Sequence, residues 1–289
     1  FFSELKRILL DYNIQLRELE YTNDIWCRDY MPVQINNNTF LKYRYDPDYL
    51  KSKEHIHSRT NTNEVWNWLT KHHHTCLKNN HSMLVLDGGN VVKSKDKVIL
   101  TDKIFTENFN LNVSEATHVT SKQKEFIIEM IKNDMEVTDV IIVPRLSGDW
   151  LGHTDGMVRF LNENEVLVSN FDFLLNDPEI SEHLKSQIRK FYSILENDHK
   201  LKIHKMPYYE YPDDKHEGHH TANGCYINYL QVKNLVILPR FGKPKEDKDA
   251  LKKFKVIFKP KGIKVESVDA TEVSRHQGVI NCVTWNIIL

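Results

Sequence analysis

Residues 148–160, GDWLGHTDGMVRF, set a histidine and an acid two positions apart, His153 and Asp155, with Gly152 and Gly156 on either side. The stretch reads as a loop running into a strand. Alternation along a strand puts residues i and i+2 on one face, so the expectation is that imidazole and carboxylate look into the same space. Such a pair alone also describes ordinary polar surface, so other residues must converge on it. Cys282, in an apolar C-terminal stretch, supplies a thiol. A thiol with a histidine is a nucleophile with a proton shuttle, provided the sulfur becomes a thiolate, which a nearby cation favours. Arg28 and Asp29, and the run Asp87-Gly88-Gly89-Asn90, are further polar interruptions of apolar segments.

The elements that must position these residues read as a repeat. Residues 1–12 form an amphipathic helix and 14–19 suit a short strand. Residues 24–35 and 39–45 read as two strands joined by the turn Asn36-Asn37-Asn38, followed by a helix over 61–73 and a strand over 83–86. Strands at 90–93 and 97–101, a helix over 120–134 and a strand at 140–143 come next. Thr120 and Gln123 stand at capping-box spacing at that helix start. Strands at 156–161 and 165–169, a helix within 178–197 and a strand at 201–206 repeat the order, as do 225–232, 235–239, 246–258 and 263–268. A last strand is expected over 279–288.

Strand-strand-helix-strand therefore recurs four times at a period of about 55–70 residues, which signals a repeat architecture. The leftover helix-strand pair and last strand make most of a fifth unit when joined in a ring, with its missing strand expected upstream of Phe1, where the chain shows no initiating Met. An open α/β sandwich is the competing arrangement. In a ring, Asp29, Asp87, His153, Asp155 and Cys282 sit at matching positions and gather at one axis. Several carboxylates around a thiol disfavour the thiolate, which makes sense if the substrate is a cation. A guanidinium fits, being planar and able to accept the grip of two carboxylates through paired hydrogen bonds. Acyl transfer would need oxyanion donors in place of an acidic cage.

These segments resemble the boxes of the agmatine deiminase and bacterial-type peptidylarginine deiminase family of guanidine-modifying enzymes. DIWCRDYMP at 24–32 is similar to its DIWxRDxxP segment, DGGN at 87–90 to its EGGN box, and DWLGHTD at 149–155 to its D-x-x-x-G-H-x-D box. Residues 278–282 (GVINC) resemble the nucleophile box, and 225–241 the YINF…VP-F hairpin. The resemblance spans nearly the whole chain and implies an α/β pentein fold, a single catalytic domain of five ββαβ modules around a pseudo-fivefold axis. It implies Cys282 as nucleophile, His153 as general acid then base, and Asp87 orienting His153. Asp29 and Asp155 hold the guanidinium and Trp26 lines the channel. The implied reaction is hydrolytic deimination through a covalent thiouronium, most simply of agmatine, with no cofactor and no metal. A peptidyl-arginine deiminase, an amidinotransferase, a dimethylarginine hydrolase and a catalytically silent binding module are the alternatives. Three departures bear on the substrate tail: Asp87 replaces the usual Glu, Trp150 stands where agmatine deiminases commonly have a small polar residue, and the glycine run before Cys282 is reduced to Gly278.

The remaining features read as structural. Net charge is -1, with 27% charged residues, which provides no attraction for nucleic acid or an anionic membrane. No apolar run reaches the roughly 20 residues of a membrane span, and no secretory signal is visible. Cys27, Cys76 and Cys225 join Cys282 at wide, irregular spacing, which points to reduced thiols in the cytoplasm. Arg28 reads as neutralising neighbouring acids. The histidine groups at 55–57, 72–74 and 219–220 lack zinc-ligand spacing and read as solvated surface, as does the lysine-rich 243–261. The expected partner is a small cationic guanidine; homo-oligomerisation is left open.

Overall fold

Four times along the chain an antiparallel pair of strands is followed by a helix and a third strand that returns parallel to the second. A computed structural model describes residues 2–16, 18–51, 56, 59–72, 78–211, 214–216 and 219–287. After helix α1 (Phe2–Asp11) and the one-turn helix α2 (Cys27–Tyr30), the first sheet joins β1 (Val33–Gln34), β2 (Thr39–Arg44) and β3 (Lys78–Val85), with α3 (Thr62–His72) as the crossover. The second joins β4 (Val92–Lys93), β5 (Lys97–Thr101) and β6 (Asp139–Val143), through α4 (Lys103–Asn108) and α5 (Ser121–Met135). The third joins β7 (Val158–Asn162), β8 (Glu165–Ser169) and β9 (Lys202–Met206), through α6 (Asp172–Asn176) and α7 (Glu182–Ser193). A small hairpin, β10 (Lys215–His216) and β11 (His219–His220), precedes the fourth sheet of β12 (Leu230–Val232), β13 (Leu235–Arg240) and β14 (Lys264–Asp269). Its crossover is α8 (Pro244–Phe258), and α9 (Thr271–Ser274) follows. Parallel neighbours cannot be joined by a hairpin, so every second-to-third strand connection carries a helix.

The central strands explain why the sequence reads as apolar runs there. In β5, Val98 and Leu100 enter the core shared by the first two sheets, whereas Ile99, between them, enters the core shared by the second and third. In β8, Val166 and Val168 face the second core and Leu167 the third. Alternate side chains of one strand thus feed two cores, and each fully buried one contributes about 1.5–3 kcal/mol. The C-terminal segment closes the circuit. Val279 and Ile280 pack into the core of the fourth sheet, while Trp285 packs near Phe40 with ring centroids 6.0 Å apart and donates through Nε1 to the Pro32 carbonyl at 2.9 Å. The predicted capping box is present, with Gln123 N donating to Thr120 Oγ1 and Thr120 N to Gln123 Oε1. Buried Asp247 ties α8 to its sheet by accepting from Tyr226 Oη, Phe241 N and Lys243 N.

The strands expected at the heads of the modules are shorter than the apolar runs. Residues 24–35 hold α2 and only the two-residue β1, 279–287 form a turn and irregular segments without a strand, and the described part of 14–19 carries no strand. Four three-stranded sheets are therefore formed among the described residues, beside the two-stranded β10–β11 hairpin, and turns stand where the strands of the fifth module were expected. At each head the chain makes a tight helical turn: α2, the 3₁₀ turns Gly88–Asn90 and Thr154–Gly156, and the turn that holds Cys282. Polar side chains there favour local turn geometry over the sheet ladder.

Candidate active site

The turns converge. Trp26, Asp29, His153 and Cys282 line one cleft with Tyr49 and Trp150. Asp87 and Asp155 stand directly behind it, each nine-tenths or more buried. His153 Nε2 lies 3.0 Å from Asp87 Oδ2, and its Nδ1 lies 3.7 Å from Asp29 Oδ1. Cys282 Sγ lies 3.6 Å from Asp155 Oδ2 and 3.4 Å from Asn228 Oδ1. His153 and Asp155 do not share a strand face as expected from their spacing. Asp155 lies in the 3₁₀ turn Thr154–Gly156, where about 3 residues complete a turn, so it meets the thiol while His153 meets the other two acids.

Local bonds hold each piece. Asp29 Oδ1 accepts from Gly89 N at 2.9 Å, and Tyr43 Oη donates to the Asp29 carbonyl at 2.5 Å. Asp149 Oδ1 accepts from Leu151 N and Gly152 N, shaping the loop that delivers His153. Burial, then Arg159, disfavours the Arg28 cation while Asp155 favours it, so Arg28 faces an acid as expected but without direct contact. Among the described residues it forms no ion pair; it donates through Nε to the Asn281 carbonyl and through its terminal nitrogen to Asn286 Oδ1, while its backbone N–H donates to the Cys282 carbonyl. It anchors the turn that holds Cys282. Gly278 packs so tightly on Trp26 that a Cβ would enter the indole ring. A Cβ at Gly89 would lie 2.6 Å from both Asp29 Oδ1 and His153 Nδ1. Gly89→Ala is therefore expected to displace the imidazole and lower turnover at least about 10²-fold, with a thermal midpoint showing the fold retained.

Charge is arranged unevenly. Burial disfavours the imidazolium of His153, but Asp29 and the hydrogen bond to Asp87 outweigh it and raise its pKa to about 9. Burial lifts Asp29 to about 7, with His153 opposing. Despite its own burial, Asp87 is held below the ordinary carboxylate range by Lys103 and His153. Burial, then Asp155 and Asp29, push the Cys282 thiol well up, so the sulfur is protonated near neutral pH.

Sequence reading missed Lys103, Asn228 and Asn281 as parts of this site. Asn281 donates through Nδ2 to Asp155 Oδ2 at 2.7 Å, and its backbone N–H meets Asn228 Oδ1 at 3.0 Å. Both asparagines interrupt apolar runs, which is the signal that marked them; Lys103 had none beyond a charge at the edge of VILTDKIF. Cys225 Sγ faces the Gly156 carbonyl at 3.6 Å. His55, His57, His73, His74 and Cys76 lie outside the described residues. Among the described residues, no group of three His, Cys, Asp or Glu side chains is placed to hold a metal ion, and no helix is long and apolar enough to cross a membrane.

The fold and the converging turns define a pentein-type α/β propeller with a thiol, an imidazole and carboxylates at one end. Its backbone is shared with the agmatine deiminase of C. jejuni with substrate bound, at TM-score 0.69 and 17% identity over 97% of this chain and 78% of that one. The agmatine deiminase of Enterococcus faecalis matches at TM-score 0.65 and 17% identity, covering 89% of this chain and 73% of that one. In sequence, a protein of Legionella pneumophila (strain Paris) named "Putative agmatine deiminase" is 24% identical over 283 residues, 94% of this chain and 75% of its own length. The family model for Porphyromonas-type peptidyl-arginine deiminase matches residues 3–287. The chain belongs to that family, and it is a hydrolase of carbon–nitrogen bonds in linear amidines.

Proposed function

We propose that this protein deiminates a small guanidine, agmatine first among them, with Cys282 as nucleophile. The observation that carries the reading is the placement of carboxylates on both sides of the thiol–imidazole pair, Asp155 at 3.6 Å from Sγ and Asp29 at 3.7 Å from His153 Nδ1. A planar cation fills that space and supplies the charge the buried thiol lacks. As the guanidinium settles, the thiol gives its proton to solvent water and Sγ bonds to the guanidinium carbon, the carbon–nitrogen π electrons moving onto nitrogen. His153 gives its proton to the departing nitrogen, the carbon–nitrogen bond breaks, and ammonia leaves a thiouronium on Cys282. His153, now neutral, takes a proton from water; the hydroxide adds to the same carbon, the carbon–sulfur bond breaks as the added hydroxyl yields its proton to the departing sulfur, and a ureido product leaves. Asp87 holds His153 Nε2, leaving the Nδ1 side toward Asp29 and the cleft.

Beyond the reacting end, Trp26, Tyr45, Tyr49, Trp150 and Asp24 line the cleft. Aromatic faces and an acid suit a short aliphatic tail that ends in a cation, which favours agmatine. The test is an ammonia-release screen over agmatine, arginine, methylated arginines and arginine peptides, with agmatine expected to give the highest kcat/KM. Release from arginine peptides alone would overturn the small-substrate reading.

The pH profile follows from the same groups. Below about 7, Asp29 takes up a proton and loses its grip on the guanidinium; above about 9, His153 loses the proton it must donate. A bell-shaped kcat/KM with limbs near those values is expected. A profile still rising at the alkaline end would remove His153 from the acid role.

A further inference from the structure

Behind the His153–Asp87 pair stands a cation that the reaction steps above do not use. The Lys103 side chain is fully buried, with Nζ 2.5 Å from Asp87 Oδ2, 3.2 Å from Glu107 Oε1 and 3.4 Å from Asp48 Oδ1, and it lies 4.6 Å from the centre of the Tyr49 ring. Asp48 is itself held by Arg145 at 3.0 Å. Burying an ammonium costs several kcal/mol unless it is paired, so this cluster is built around one charge.

Its geometry at Asp87 is specific. Oδ2 meets both Lys103 Nζ and His153 Nε2, whereas Oδ1, also buried, has no hydrogen-bond partner among the described residues. An acid bonded to the imidazole alone could offer either oxygen; the lysine holds one oxygen toward the ring. Asp87 is also one methylene shorter than the glutamate usual at this place in the resembling enzymes, so its reach depends on that orientation.

We propose that Lys103 is a positioning residue for His153, acting through Asp87: its ammonium keeps Asp87 ionised and aimed while the imidazole has no proton, and so allows His153 to alternate between acid and base. The physical reason is charge balance. When His153 is neutral, Lys103 is the cation directly bonded to the buried Asp87 carboxylate. Without it that state would leave an unpaired buried anion, and the His153–Asp87 pair would hold its last proton to higher pH. The charged groups facing the pair are Asp29, Lys103 and, behind Lys103, Glu107 and Asp48; the Tyr49 ring packs 6.0 Å from the imidazole, and Cys282 shares its cleft. Burial raises Glu107 to about 8, so it is ionised where His153 titrates and there opposes Lys103; removing its charge should act in the reverse direction.

The inference rests on the deimination reading only for its effect on turnover; the titration belongs to the free protein. The experiment follows the His153 imidazole nitrogens by NMR against pH, with the resonance assigned by its loss in His153→Gln. In Lys103→Met the midpoint is expected to rise by about one pH unit or more, in Glu107→Gln to fall, and in Lys103→Arg to stay near wild type. Agmatine turnover in Lys103→Met should lose at least about tenfold in kcat with KM little changed. A Lys103→Met titration superimposable on wild type overturns the proposal, even if stability falls, and so does wild-type kcat. If Lys103→Met does not fold, Glu107→Gln decides: a downward shift supports the proposal and any other result overturns it. A wild type without ammonia release, but with these shifts, would sink the deimination reading and leave the titration role of Lys103 intact.

Discussion

Cys282→Ser is expected to abolish ammonia release, by at least about 10⁴-fold in kcat, while the fold survives. Cys282 is 8% exposed and packs its sulfur against Asp155 and Asn228. A serine hydroxyl fits that space and can donate to the same oxygens, so the change in stability should stay within about 1 kcal/mol. The chemistry does not survive the exchange. A thiol can be brought to its anion by an arriving guanidinium; an alcohol surrounded by Asp155 and Asp29 cannot, because its anion is far more basic and the same carboxylates oppose it. Ammonia release from agmatine and mass analysis of the protein trapped during turnover check the point together. The wild type should carry a substrate adduct on Cys282 and the variant none. Undiminished turnover in the variant would exclude covalent catalysis by this residue.

Asp155→Asn should pull two readouts in opposite directions. Asp155 is one of the acids that push the Cys282 thiol up. Removing its charge makes the thiolate easier to form, so alkylation of Cys282 by iodoacetamide should become several-fold faster near neutral pH. On the proposed reading the same change removes a carboxylate that would hold the guanidinium, and agmatine kcat/KM should fall at least about 10³-fold, the loss of a charge-assisted contact added to that of misplaced substrate. A general loosening of the site would also expose the thiol, so the thermal midpoint is measured in parallel; the Asn281 Nδ2 bond to Asp155 Oδ2 can be remade to an asparagine oxygen, and the midpoint should move little. Slower alkylation, or turnover that persists, would show that the carboxylate serves neither the thiol nor the substrate as described.

Much of this architecture is legible in the amino-acid order. Four strand-strand-helix-strand units can be counted because β5 and β8 bury alternate residues in two different cores, which forces continuous apolar runs. The same order marks Cys282, His153, Asp155, Asp87 and Asp29, since polar or reactive residues at the heads of apolar segments stand out, whereas Trp26 is marked by the family resemblance alone. What the sequence could not decide was which of them touch. Residues 27–30 read as strand and fold as a helical turn, and 154–156, read as the junction of a loop and a strand, fold as a 3₁₀ turn; for the first the bonding partners lie in other modules, the Cys282 carbonyl for Arg28 N and the Gly89 N–H for Asp29. Asp155, two residues from His153, bonds instead across 126 positions to Asn281. Lys103 looks like a surface lysine until the second module is folded onto the first, when Asp87, Glu107 and Asp48 surround it. Apolar periodicity is a local property that each segment carries by itself. The pairing of buried charges depends on distances of about 3–4 Å between segments far apart in the chain, and the closing of the modules on one another sets those distances.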